Sequence, residues 1–297
     1  MKWLSRTGLA PVLAVGLVGA GCVDLVQAAQ YVDRQEKRFN VAGTPDVSLS
    51  TFDGSIEVRP WDRPEVVVTL ERHARSKEAA DALEVQASQS GNQVTVAVRK
   101  PRGGGIELGW GNNARVNLIV QMPEAGTLEA SSGDGSILVE RITGRCDLRS
   151  GDGSIVAHDL TGGVKAHTGD GSITLTNASG AVDVDSGDGS VAVDGRLTGV
   201  RVRTGDGSVK VQASAGSATT DDWDIVTGDG SVALALPDGF SGTLDAHTGD
   251  GRVELNGIAV TGVTGEISKK SVRGTLGAGG RQVRVRTGDG SITLRRY

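Results

Sequence analysis

Apolar residues recur along most of this chain on two nested periods, one of two residues and one of eighteen. The long period is marked by the tetrapeptide Gly-Asp-Gly-Ser, which starts at Gly133, Gly151, Gly169, Gly187 and Gly205, each 18 residues after the last. It returns at Gly228 and Gly288, and as Gly-Asp-Gly-Arg at Gly249; a degenerate copy, Phe52-Asp53-Gly54-Ser55, lies far upstream. Four residues after the first Gly stand Ile137, Ile155, Ile173, Val191, Val209, Val232, Val253 and Ile292; six after stand Val139, Ala157, Leu175, Val193, Val211, Leu234, Leu255 and Leu294. Five before it are Leu128, Cys146, Val164, Val182, Val200, Trp223, Leu244 and Val283; three before are Ala130, Leu148, Ala166, Val184, Val202, Ile225, Ala246 and Val285. Alternation at a spacing of two marks a strand with one buried face, so each repeat predicts two short β-strands. One joint between them is Gly-Asp-Gly. The other is a bend such as Thr161-Gly162 or Ser179-Gly180. Gly at both joints tolerates positive φ.

A single pair of strands cannot bury these columns, but repeats stacked on one another can, and a fixed period of this size is the mark of a repeat architecture. The prediction is an all-β, single-stranded β-solenoid, β-helix-like, of about ten rungs with 18-residue repeats. At about 4.8 Å per rung the rod is on the order of 50 Å long. The frequent Gly and the lack of a 3.6-residue period argue against helix. Between Gly249 and Gly288 lie 39 residues, about two repeats with the middle motif eroded near Gly265.

The outward positions alternate in charge. Four residues before each Gly come Glu129, Asp147, Lys165, Asp183, Arg201, Asp224, Asp245 and Arg284; two before come Ser131, Arg149, His167, Asp185, Arg203, Val226, His247 and Arg286. Stacking sets Asp147 beside Lys165, Asp183 beside Arg201 and Asp185 beside Arg203, as cross-strand pairs on a solvated, mixed-charge face.

Three segments follow: an export signal at 1–29, a β-rich opening at 30–130 and the regular array at 131–297. Lys2 and Arg6 precede a short apolar run, Gly8 to Ala20, which is too short to span a membrane. Two endings fit. Gly19-Ala20-Gly21-Cys22 is similar to a lipobox and makes Cys22 the lipidation site; ordinary cleavage after Ala28 or Ala29 is the rival. Either way the mature chain is exported, to the periplasm, the cell surface or beyond. In 30–130, Val66 to Leu70, Val94 to Val98 and Val116 to Gln121 alternate as strands, Ser76 to Leu83 predicts a short helix capped by Ser76, and Gly-rich Pro101 to Gly111 predicts a loop. Val47, Leu49, Ile56 and Val58 match the repeat columns, so this segment reads as opening rungs interrupted by a long excursion that caps the solenoid's first edge. At the other end, Arg295-Arg296-Tyr297 sets two charges that discourage end-to-end addition.

The net charge of −5, lowered by two more when Lys2 and Arg6 leave with the signal, argues against a nucleic-acid partner. With Cys22 lipidated or lost, Cys146 has no disulfide partner, and its column makes it a buried, inert thiol.

These features resemble the bacterial putative-adhesin family of domains of unknown function, whose members carry Gly-Asp-Gly-Ser β-repeats behind an export signal. The resemblance covers residues 40–297 and includes the run from Val116 through Pro123, Leu128 and Gly133-Asp134-Gly135 to Ile137. It implies a β-solenoid at the cell envelope and no catalytic residues. The regularity of the Gly-Asp-Gly-Ser copies here departs from it and suggests a longer rod.

The candidate chemistry is weighed against structure at each place. The acids Asp134, Asp152, Asp170, Asp188 and Asp206, followed by Asp229, Asp250 and Asp289, form a ladder roughly 5 Å per step, where like charges repel. Calcium between rungs is one answer; carboxylates accepting backbone N–H bonds in their own turns, with Ser136 and Ser154 assisting, is the favoured one. Each half-repeat lacks the second glycine-rich motif of calcium-binding β-rolls, so no metal site is assigned. An enzyme needs a singular acid pair that breaks the repeat, and here the acids recur evenly. His73, His158, His167 and His247 are scattered, and the latter two fall in the outward column. Aromatics make up only 3%, too few for a sugar-stacking platform; Trp61 and Trp110 in the excursion read as a cap over the core end or a small patch. The reading is a non-catalytic, exported, adhesin-like interaction or structural module without cofactor. Its expected partner is an envelope polysaccharide or another envelope protein, with the membrane touched only through a lipid anchor. The alternatives are a polysaccharide-active solenoid enzyme and an envelope sensory domain.

Overall fold

The computed structural model describes residues 31–100, 114–263 and 269–297; Cys22, Trp110, the Pro101 to Gly111 loop and the region of Gly265 lie outside them. The chain opens with β1 (Tyr31–Asn40), β2 (Asp46–Thr51), β3 (Ile56–Trp61), β4 (Glu65–Ala74), helix α1 (Lys77–Asp81), β5 (Glu84–Ser90), β6 (Gln93–Arg99) and β7 (Arg115–Pro123). The array follows as β8 (Thr127–Ser132), β9 (Ile137–Glu140), β10 (Cys146–Ser150), β11 (Ile155–His158), β12 (Val164–Thr168), β13 (Ile173–Ser186), β14 (Val191–Thr204) and β15 (Val209–Ala213). It ends in β16 (Trp223–Thr227), β17 (Val232–Leu236), β18 (Gly242–Thr248), β19 (Val253–Asn256), β20 (Val260–Thr261), β21 (Ser271–Leu276), β22 (Gln282–Thr287) and β23 (Ile292–Arg296).

Strands before each Gly-Asp-Gly turn pair in parallel into a front sheet, and strands after it into a back sheet, in the register the columns predict. Cys146 stands beside Val164 in front, and Ile155 beside Ile173 behind. Ten rungs stack in the order β6–β7, β2–β3, β8–β9, β10–β11, β12–β13, β13–β14, β14–β15, β16–β17, β22–β23, β18–β19. The all-β solenoid is therefore present, and Val47, Leu49, Ile56 and Val58 sit in the repeat columns beside Leu128, Ala130, Ile137 and Val139.

Stacking does not follow the chain at either end. Rung two is the earliest in sequence, and rung one comes from β6 and β7. At the far end the last residues form rung nine, and β18–β19 lies outside it. Arg295 and Arg296 are thus in a strand held between β17 and β19 instead of facing the rod's end, and the end-blocking role expected of them is corrected. The charge pattern explains the order. In sequence order Asp224 would adjoin Asp245; with β22 inserted, the column runs Asp147, Lys165, Asp183, Arg201, Asp224, Arg284, Asp245, and antiparallel β21 adds Arg273, alternating in sign at every step.

Two kinds of glycine make the rung. At the Thr-Gly and Ser-Gly bends Gly162 and Gly180 take φ of 126°, as expected. The Gly-Asp-Gly glycines of the array are instead set by close approach, because the turns stack backbone to backbone. A Cβ on Gly169 would lie 2.6 Å from the Gly151 carbonyl oxygen, and one on Gly153 closer still to Gly135. A third apolar column, unmarked in the two-strand reading, closes the core at Ile142, Leu160 and Ala178, next to single-residue bridges joining Thr143, Thr161 and Ser179. Helix α1 starts at Ser76, whose Oγ accepts from Ala79 N at 3.2 Å.

Candidate interaction surface

The Asp turns form a ridge along the joint of the two sheets. Asp134, Asp152, Asp170, Asp188 and Asp206 occupy consecutive rungs, and all are exposed, as are Asp229, Asp250 and Asp289. The side-chain hydrogen bonds that hold the turns come from two residues ahead of the Asp expected to make them. The buried hydroxyl before each first Gly is Ser132, Ser150, Thr168, Ser186, Thr204, Thr227, Thr287 or Thr248 in rung order. Thr168 Oγ1 donates to Gly153 O at 2.9 Å; Ser150 Oγ donates to Gly135 O at 2.9 Å and accepts from Gly153 N at 3.0 Å. Each hydroxyl thus ties its rung to the rung below, and the backbone adds bonds such as Gly151 N to Gly133 O at 2.6 Å. The carboxylates face water, which screens their mutual repulsion, and Asp250 is also met by Lys270 Nζ at 2.9 Å. The signal for this ladder was the invariable Ser or Thr at that position of every repeat. Among the described residues no group of three or more His, Cys, Asp or Glu is arranged to hold a metal ion.

The front sheet's outer face carries the alternating charges. Ion pairs run along and across strands, Arg149 to Asp147 at 2.7 Å and to Glu129 at 3.1 Å and Arg203 to Asp224 at 3.2 Å, and the His167 ring lies 3.3 Å from Asp185. At the last rung Asp245 is bound by Arg286 at 2.5 Å and Arg273 at 2.9 Å. Burial opposes its charge, but the two guanidiniums' hydrogen bonds and charges outweigh that and hold Asp245 below the usual carboxylate range.

One stretch of this face lacks large side chains. Six residues before each Gly the outward column reads Gln93, Asp46, Thr127, Arg145, then Gly163, Ala181 and Gly199, then Asp222, Gln282 and Thr243 in rung order. For three rungs the side chains vanish, and a hollow of about 400 Å³ opens over Cys146, Val164, Val182 and Val200. Arg145 stands at one end, Asp221 and Asp222 at the other, and Lys165, Asp183 and Arg201 along its side. The back sheet's outer face is plainer, with half-buried Leu138, Val156, Thr174 and Ala192 in line.

The remaining candidates are placed as follows. Cys146 is buried and its thiol is pushed up to about 12 by that burial, which keeps it protonated and unreactive. His167 and His247 are exposed on the front face, while His73 and His158 are half-buried and lie apart from them. Trp61 is fastened at the β3–β4 turn, its Nε1 donating to Glu65 O at 2.7 Å with Arg63 over its ring. It therefore braces a turn and does not cover the core end.

A family model described as Toastrack DUF4097 matches residues 45–295, and the chain belongs to that family of domains of unknown function. Among solved structures it is similar to a "putative cell adhesion protein" from Clostridium sporogenes at 13% identity, covering 90% of this chain and 100% of that one, with a TM-score of 0.29. It is similar also to a "putative adhesin" from Bacteroides fragilis at 9% identity, covering 89% and 97%, with a TM-score of 0.42. A "putative lipid binding protein" from Parabacteroides distasonis shares 10% identity over 89% and 97%, with a TM-score of 0.37. No curated protein matches the chain. Likenesses this remote transfer no residue roles.

Proposed function

We propose that this Toastrack protein is an exported, non-catalytic module of the cell envelope, adhesin-like or structural, that holds an extended polymer against its front sheet. The observation that carries the reading is the hollow over Gly163, Ala181 and Gly199. In the neighbouring columns side chains of opposite charge such as Arg149 with Asp147 and Arg203 with Asp224 pair with one another, and displacing water from them is costly. Over these three rungs backbone and apolar surface line a slot, with charge of one sign at one end and the other sign at the far end. A slot of this kind suits an extended chain of repeating units, an envelope polysaccharide first and a segment of another envelope protein second. The even recurrence of acids, with no singular pair, supports binding over bond cleavage. No helix of the described residues is long and apolar enough to cross a membrane, and attachment through Cys22 is part of the proposal.

The test is a pull-down of the chain with purified envelope polysaccharide, with the same tube assayed for released fragments. Retention without fragments is expected, and Ala181→Arg, which fills the slot from an outward position, reduces it at least ten-fold. Fragments would establish an enzyme, and retention unchanged in Ala181→Arg would remove the slot from the binding surface.

A further inference from the structure

We infer that the slot on the front sheet recognises an extended polysaccharide bearing acidic and amino groups on alternating sugars, an inference that rests on that slot being the binding surface. The observation behind it is a set of charges left without partners. Stacking sets Lys165, Asp183 and Arg201 side by side on rungs five, six and seven, along one wall of the hollow. The charges around them are engaged elsewhere. Asp147, beside Lys165, is taken by Arg149, and Asp224, beside Arg201, is taken by Arg203. Asp185, two residues after Asp183, faces His167. Among the described residues Lys165, Asp183 and Arg201 form no ion pair with one another or with any other side chain, and the same holds for Arg145 and Asp221 at the ends of the slot. A ligand group that meets one of these charges displaces only water, whereas one that meets Arg149 or Asp224 must also compete with an existing pair.

The positions of these charges set what the ligand must carry. Arg145 and Lys165 lie on adjacent rungs to either side of Gly163, where a Cβ would meet nothing within 4 Å. One anionic group fits in that open place between two cations. Asp183 on the next rung calls for a cation, and Arg201 on the one after for a second anion. The far end calls for a cation again. There Asp221 lies over Gly199, its Cβ 2.9 Å from where a Gly199 Cβ would stand, and Asp222 follows one rung on, with its Oδ1 accepting from Gln282 N at 3.2 Å. The complement read along the rod is anion, cation, anion, cation.

The spacing selects the kind of chain. Lys165 and Arg201 are two rungs apart, about 10 Å, with Asp183 midway. An extended peptide sets the side chains of one face about 7 Å apart, which falls out of step with the rungs. An extended glycan advances by about one rung, roughly 4.8 Å, for each sugar. Acidic groups on every second sugar then meet Lys165 and Arg201, and amino groups on the sugars between meet Asp183 and the Asp221–Asp222 pair.

The probe is a fluorescently labelled hyaluronan oligosaccharide, in which uronate and N-acetylglucosamine alternate, de-N-acetylated to free its amines. Its binding to the full chain is followed by fluorescence anisotropy at low salt in mildly acidic buffer, where the amines are protonated. The N-acetylated parent and a chitosan oligosaccharide of equal length carry one sign of charge each. An exposed ion pair contributes about three-fold in affinity, so two amine contacts favour the de-N-acetylated form over its parent about ten-fold. A similar margin is expected over chitosan. D183N reduces the preference over the parent about three-fold, and K165E/R201E abolishes the preference over chitosan. K210E, an exposed charge on the back sheet, changes neither. Urea melts of each variant show that it is folded. The inference is overturned if the de-N-acetylated form binds no better than its parent, or if D183N and K165E/R201E leave its affinity as it is. If that happens while A181R still lowers retention of envelope polysaccharide, the slot stands as the binding surface and the alternating-charge ligand does not. Retention unchanged in A181R removes both.

Discussion

The two ends of this rod are finished differently. At the β1 end, rung one has a further strand on both sheets, and Val94, Val96, Leu118 and Val120 are all fully buried. At the other end, among the described residues, rung ten has a further strand, β21, on its front only; Val253 and Leu255 are half-exposed, although Ile292 and Leu294 in the same columns one rung inward are fully buried. The apolar columns are the same in both places, so burial here is supplied by the neighbouring strand and not by the rung itself. That is the energetics of a stacked repeat, in which each unit is stabilised across its interfaces.

The largest effects should break that contrast. Val120→Asp buries a charge under β4 and is expected to cost more than about 4 kcal/mol, as is Val182→Asp in the middle of the rod. Leu255→Asp, on the open strand, should cost less than half as much, and Asp183→Asn on the outer face less than about 0.5 kcal/mol. Urea melts of the four variants give the comparison, and equal losses for Val120→Asp and Leu255→Asp would show that the open end is covered. A sharper pair lies within the turns. Gly169→Ala forces its methyl into the rung below and should cost about 1–3 kcal/mol, whereas Gly163→Ala, whose Cβ meets nothing within 4 Å, should be neutral or gain about 0.5 kcal/mol. Thr168→Val leaves the Gly151 and Gly153 carbonyls without their hydroxyl donor and should cost about 1–2 kcal/mol by the same melts. The smallest effect concerns acid. Asp245 has a lowered pKa when folded, so its stabilisation is in place above the unfolded value near 3.8 and fades as pH falls through the folded one. Asp245→Asn should flatten the loss of stability below pH about 4, measured as Tm against pH.

Much of this fold could be read from residue spacing, because an 18-residue period repeats each physical constraint many times. The buried columns, their partners and the Ser76 cap were all visible. What escaped was the order of stacking, since a column records which positions are equivalent and not which rungs touch. The clue was electrostatic: Asp224 and Asp245 repel as neighbours, and Arg284 between them does not. The third column at Ile142, Leu160 and Ala178 escaped because it is carried by a single residue per rung, where alternation has nothing to show. The hydroxyl ladder was overlooked in favour of the more conspicuous Asp, and the hollow became visible only once Gly163, Ala181 and Gly199 stood side by side.

The placement of β22 and β23 has a consequence in time. A chain emerging from a ribosome or a translocation channel delivers its residues in order, but the rod needs residues 282–296 inside it before β18 and β19 have a rung to stack on. The last two rungs must therefore wait, unclosed, until that segment arrives, so synthesis order and stacking order part company at this end of the rod.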